Sequence, residues 1–213
     1  ALPLGYRTRS LTDTRVSQNA LRLNADCGKL VYMKRRTLVP ALAALAVPAE
    51  AQWSNPFAQA FLKSFVLHWQ DTREYTLAVL DAMPADKFTS KVNAAQRTFG
   101  EQILHLATAN TAYFRGFGLV EPPALKPPAA DDKAAVRTFV VAHFDYSDAV
   151  LAKIDQAQVV RTDVAFSPRL PKHSAVDIFL RAYMHTAHHR GQIISYLRAQ
   201  EIKPPTWKFE PHA

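Results

Sequence analysis

The chain has 213 residues, 48% of them hydrophobic, with 26 Lys/Arg against 18 Asp/Glu for a formal charge of +8. A single cysteine, Cys27, excludes a disulfide framework and a multi-thiolate metal site. Residues 1–51 hold 8 Lys/Arg and 3 Asp/Glu, so +5 of the charge sits there; the remaining +3 argues against the concentrated basic face that nucleic-acid binding needs.

Residues 1–32 carry scattered arginines and little apolar periodicity. The pattern changes at Met33. Lys34, Arg35 and Arg36 form a cationic patch, Thr37 to Val47 is an uncharged and mostly apolar run, and Ala49-Glu50-Ala51 supplies small residues where a signal peptidase inspects the chain. That order predicts a secretory leader over 33–51, cleaved after Ala51. The apolar run is too short to span a bilayer as a mature helix; the alternative for it is a buried Ala/Leu helix with a basic start. A leader at 33–51 makes residues 1–32 an expected non-native extension, with translation starting at Met33, or else a disordered arm. The mature chain, Gln52–Ala213, has 162 residues, enough for one domain with a real core. It is expected to be exported, periplasmic or extracellular, without stable membrane insertion.

Four helical segments follow. Asn55 and Pro56 mark the start of the first, and Phe57, Phe61, Leu62, Phe65, Val66, Trp69, Leu77 and Leu80 recur at helical spacing until Met83-Pro84. A polar link over 85–97 leads to Thr98, which with Glu101 forms a capping-box pattern. Phe99, Ile103, Leu106, Tyr113 and Phe114 give that second helix its apolar side, and Gly116 and Gly118 mark its end. Residues 121–130 contain four prolines and predict an extended loop. Asp131 or Asp132 opens a third helix that carries apolar residues to about Ala157. A further link runs to Lys172. Ser174, with Asp177 at the box position, opens a fourth helix that runs to about Gln200 and stops before Pro204-Pro205. Four amphipathic helices without a strand pattern predict an all-α fold, a four-helix bundle.

The fourth helix contains the densest chemistry of the chain: Tyr183-Met184-His185-Thr186-Ala187-His188-His189-Arg190-Gly191-Gln192-Ile193. His185 and His189 are four residues apart, which stacks their rings one turn apart on a single helix face. Two imidazoles so placed form half of a site for zinc, iron or nickel. His188 competes for the pair at a spacing of three. The candidate third ligand is His105, mid-way along the second helix between Leu104 and Leu106. Alone it reads as a hydrogen-bonded core histidine, but a facing two-histidine helix makes it a metal candidate, because bundle interiors build such sites from neighbouring helices. Three neutral imidazoles with one open position is a catalytic rather than a closed structural arrangement. His68 and His143 are weaker candidates, and His173 and His212 read as surface residues. Arg190 reads as a group for an acidic substrate, a partner for a carboxylate, or an ordinary surface ion pair. Gly191 suggests close helix approach. Glu101 is one turn before His105, a conceivable general base whose capping role takes precedence.

The run His185-x-x-x-His189-Arg190-Gly191-Gln192-Ile193, with Tyr196-Leu197-Arg198 and Pro204-Pro205 after it, resembles the last helix of the DinB/YfiT-like family. Gly100-Glu101-x-Ile103-Leu104-His105-Leu106-Ala107 resembles that family's second-helix motif. The resemblance spans about 55–205. It implies a four-helix bundle, often dimeric, with a divalent metal ion on three histidines, which map to His105, His185 and His189. Arg97-Thr98 stands where the family often has Trp-Ser, and a leader is not typical of the family.

The resemblance implies a metal-dependent enzyme, a hydrolase or a thiol transferase acting on a small-molecule substrate, with the cation (zinc, nickel, iron or manganese) as Lewis acid. The second hypothesis is a metal-binding bundle without catalysis, used in stress response or partner binding.

Overall fold

A computed structural model describes residues 55–167 and 169–207. The expected leader and the segment before it lie outside these residues, as does His212. What is described is all-helical: α1 (Pro56–Ala82), α2 (Phe99–Arg115), α3 (Lys133–Leu151), a single turn α4 (Gln156–Val159) and α5 (Ala175–Ala199). The extended exception among the described residues is one isolated antiparallel bridge, Val164 to His173, in the link before α5. No helix among them is long and apolar enough to cross a membrane.

Each helix starts where a side chain takes over an orphaned backbone N–H. Asn55 accepts from Ala58 N at 3.0 Å with Pro56 in the first turn, and Asp132, of the two expected openers, accepts from Ala135 N at 2.9 Å. Thr98 and Glu101 form the full reciprocal box, with Glu101 N donating to Thr98 Oγ1 at 3.2 Å and Thr98 N to Glu101 Oε2 at 2.7 Å. Ser174 accepts from Asp177 N at 3.1 Å. The far end of α1 is closed from outside: Lys133 Nζ, at the start of α3, donates to the carbonyls of Asp81 and Met83 at 2.8 and 2.7 Å. Gly118, just past α2, adopts φ +67°, the left-handed conformation glycine reaches without strain.

The four long helices lie against one another, α2 against α3 and α5, and α1 against α3 and α5. Trp69 is fully buried among Phe65, Phe114 and Phe144, with centroids 5.8, 4.9 and 5.9 Å away, and its indole N–H donates to Ser147 Oγ at 3.2 Å. Phe179 of α5 joins from the other side, 4.7 Å from Phe65 and 4.9 Å from Phe117. Arg73 of α1 bonds to both Asp145 and Asp148 of α3.

Three expectations are corrected. The third helix ends at Leu151 rather than near Ala157, because Ile154 turns inward and the Asp155 carboxylate caps a new turn, accepting from Gln158 N at 2.8 Å. The 85–97 link is not simply polar: it holds a 3-10 turn at Ala85–Lys87 and the fully buried Phe88, edge-on to Phe99 at 5.1 Å. The close backbone approach expected at Gly191 occurs at Gly100 instead. A Cβ on Gly191 would meet nothing within 4 Å, whereas one on Gly100 would lie 1.8 Å from the Ala130 carbonyl oxygen, where the proline-rich loop crosses the start of α2.

The two glycines therefore predict opposite signs. Gly191→Ala, in an exposed helix interior with open space, gains about 0.5–1 kcal/mol from reduced chain entropy. Gly100→Ala meets backbone rather than a yielding side chain and loses about 1–3 kcal/mol or more. Urea unfolding of the two variants beside the parent measures both signs.

Candidate metal centre

α2 and α5 present three imidazoles to one another. One ligand atom from each of His105, His185 and His189 can be chosen so that all lie within 4.8 Å of one another. The ring centroids of His185 and His189 are 4.3 Å apart, those of His105 and His189 4.6 Å, and those of His105 and His185 5.3 Å. The helical spacing explains the first distance. The second and third follow from the packing of α2 on α5, which sets His105 opposite the pair. No other described His, Cys, Asp or Glu joins the cluster.

The rings are suited to a cation rather than to one another. Burial, with the neighbouring imidazoles adding to it, brings His185 down to about 4 from an ordinary 6.5. Burial also brings His189 to about 4, against a hydrogen bond with Gln192 that works in the opposite direction. His105 is lowered by burial and then by the Arg97 charge. Neutral imidazoles are the form that ligates metal. His185 also leaves Nδ1 buried without a hydrogen-bond partner, an unsatisfied nitrogen beside two other rings. The donor set and this orphaned atom fit a divalent ion of the imidazole-preferring kind.

Around the cluster the surroundings are unequal. On the His189 side, a cavity of about 470 Å³ is lined by Ala95, Gln96, Arg97, Gln102, His189, Gln192 and Tyr196. On the His185 side stand aromatic rings: Tyr113 lies 5.8 Å from His185 and stacks on Phe166 at 4.6 Å. Below, Thr186 Oγ1 approaches Asn110 Oδ1 at 2.9 Å, a buried link between the same two helices.

The remaining candidates go elsewhere. His188 is exposed and contacts Gln192 rather than joining the cluster. His68 meets Tyr183 edge-on at 6.1 Å, and His143 is buried against Phe139 with Nδ1 bonded to Thr111 Oγ1. His173 is not a plain surface residue: its Nδ1 pairs with Asp177 at 2.9 Å. Glu101 is exposed and held by Thr98, which lowers its carboxyl and makes it a cap rather than a base at the cluster. Arg190 is not at the surface either. It is 7% exposed, with its guanidinium 4.3 Å from the Trp207 ring and 5.3 Å from that of Tyr75, so it holds the segment after α5 by cation–π contact. Sequence reasoning missed Gln102, whose amide reaches His189; its position three residues before His105, on the same helix face, is the signal that marks it.

The sequence model of the DinB family matches residues 57–208. The chain belongs to the DinB family. Among solved structures it is similar to a DinB-like protein from Bacillus cereus, at 18% identity and a TM-score of 0.59, covering 68% of this chain and 95% of that one. It is also similar to the DinB-like protein YjoA from Bacillus subtilis, at 16% identity and a TM-score of 0.55, covering 69% of this chain and 99% of that one. At such identities the likeness concerns the fold. No curated protein matches the sequence.

The lowered rings predict a pH dependence for the metal-free DinB domain. Unfolded histidines titrate near 6.5, the folded His185 and His189 near 4. As pH falls from 6.5 toward 4 the unfolded chain takes up protons that the folded chain refuses, so this stability is full above 6.5 and lost through that window. Urea midpoints between pH 7.5 and 4 should fall more steeply for the parent than for a His185→Gln, His189→Gln double variant.

Proposed function

We propose that this DinB family member is a four-helix bundle that binds one divalent metal ion through His105, His185 and His189 and uses it as a metal-dependent hydrolase or thiol transferase. The observation that carries the reading is the convergence of three neutral imidazoles from two helices, with ligand atoms within 4.8 Å of one another. Three protein donors, with no fourth His, Cys, Asp or Glu among the described residues, is the count found in catalytic rather than closed structural zinc sites. When bound, such an ion supplies Lewis-acid chemistry, polarising a carbonyl or lowering the pKa of a water or thiol.

The chain's own residues have separable tasks. His185 and His189 present two donors from one rigid face, so their separation is set by the α5 backbone. His105 closes the set from α2. Arg97, Gln96 and Gln192 line the cavity beside His189 and give a small polar substrate a place next to the centre. Tyr113 and Phe166 provide an apolar wall on the other flank. The leader pattern over 33–51 supports an exported protein, so the reading puts this site outside the cytoplasm.

Metal analysis of protein beginning at Gln52 tests the assignment. The parent should carry about one equivalent of a divalent ion after loading and desalting, and His185→Ala and His189→Ala should each lose it. Full retention in either variant removes that residue from the ligand set, and absence of binding in the parent removes the metal reading.

A further inference from the structure

His189 is held by two glutamines, one from each helix of the centre. Gln102 of α2 is 4% exposed, and its Nε2 lies 2.5 Å from His189 Nδ1. Gln192 of α5 places Oε1 3.0 Å from the same Nδ1. The two amides also meet each other, Gln102 Nε2 donating to Gln192 Oε1, and Gln192 Nε2 reaches His188 Nε2 at 3.2 Å.

Gln102 and Gln192 both sit at His189 Nδ1, so Nε2 is the ring nitrogen left for a cation. A ligating Nε2 keeps its lone pair, which puts the ring hydrogen on Nδ1. An amide oxygen only accepts and an amide NH2 only donates, so Nδ1–H requires an oxygen opposite it. Gln102, the nearer amide, supplies that oxygen when turned over, and Gln192, turned over with it, donates to the same oxygen. With both amides the other way round, the Gln102 NH2 would donate to Nδ1 and to Gln192 Oε1, and the ring hydrogen would sit on Nε2. Turning over one alone would set oxygen against oxygen or NH2 against NH2.

We propose that Gln102 and Gln192 are positioning residues that hold His189 as its Nδ1–H tautomer, leaving Nε2 as the one ring nitrogen with a free lone pair for a cation. The inference rests on the metal-binding reading for the choice of tautomer, and on the geometry for the enclosure of Nδ1 by the two amides. An imidazole free in water interconverts between tautomers and rotates; a ring fixed by a buried amide bracket is ready to ligate, and such outer partners contribute about 10–100-fold to metal affinity. The bracket also ties α2 to α5 at the level of the centre, so it sets the ring's orientation as well as its tautomer.

Ring 15N NMR of the metal-free protein reads the tautomer directly, and chelator competition with cobalt(II) reads affinity. The parent should show His189 with hydrogen on Nδ1. Gln102→Leu and the Gln102→Leu, Gln192→Leu pair should show mixed or Nε2–H tautomers and bind cobalt(II) about 10–100-fold more weakly. Gln102→Glu, which keeps an acceptor at the same place, should hold hydrogen on Nδ1 and retain cobalt(II) affinity where Gln102→Leu loses both, an outcome that general damage to the fold would not produce. Hydrogen on Nε2 in the parent overturns the proposal whatever the metal does. An unchanged tautomer and affinity in the double variant overturns it as well. A parent with Nδ1–H at His189 that nonetheless binds no metal upholds the positioning claim and overturns the proposed function instead.

Discussion

The close packing of α2 on α5 is the constraint on which the rest of the site depends. His185 and His189 are neighbours by helix geometry alone, but a pair of imidazoles at i,i+4 gains a third partner where a second backbone runs alongside at the right register. Phe99, Ile103 and Leu106 on α2 and Ile193, Tyr196 and Leu197 on α5 are buried, and their burial supplies the force that brings His105 into place. The same burial keeps the rings neutral. Three basic groups brought together in water would repel one another when charged; with water removed, the rings give up their protons and offer lone pairs instead. Packing and ligand chemistry are thus two consequences of one interface.

Polar groups finish what the apolar residues begin. Thr186 and Asn110 link the two helices within the core, and the Gln102–Gln192 bracket links them at the cluster. Arg190, one residue after His189, points into a different environment, where Tyr75 and Trp207 clasp its guanidinium and hold down the segment that follows α5. Adjacent residues on α5 therefore serve separate purposes: His189 serves the cluster, Arg190 the attachment of the C-terminal segment, and Gly191 presents a bare exposed backbone that no neighbour requires.

Much of this was legible in the sequence, for identifiable reasons. Helix starts were readable because Asn55, Thr98 and Ser174 cap by local geometry, which depends on a few adjacent residues. The His185/His189 pair was readable because 3.6 residues per turn fixes their relation. From spacing alone His105 was readable only as a candidate, since its membership depends on helix packing; the family resemblance is what put it in the set. What failed was what depends on contacts distant in sequence. Gly191 lies in a motif and looked like a point of close approach, yet the backbone that presses on a glycine is Ala130 against Gly100, thirty residues away along the chain. Arg190 carries a charge and so read as a group for an acidic substrate, a carboxylate partner or a surface ion pair; the aromatic rings that bury it come from α1 and from the segment beyond α5. The break after Leu151 was hidden because Ile154 continues an apolar pattern that a single helix could equally have produced.

The central claim is that the three imidazoles meet on one cation. X-ray absorption at the metal edge of the zinc- or cobalt-loaded protein tests it most directly, because imidazole rings produce a multiple-scattering signature that water and carboxylates lack. The account predicts a first shell of nitrogen and oxygen only, with scattering from three imidazoles. A shell made of oxygen alone, or one with fewer than three imidazoles, would contradict it.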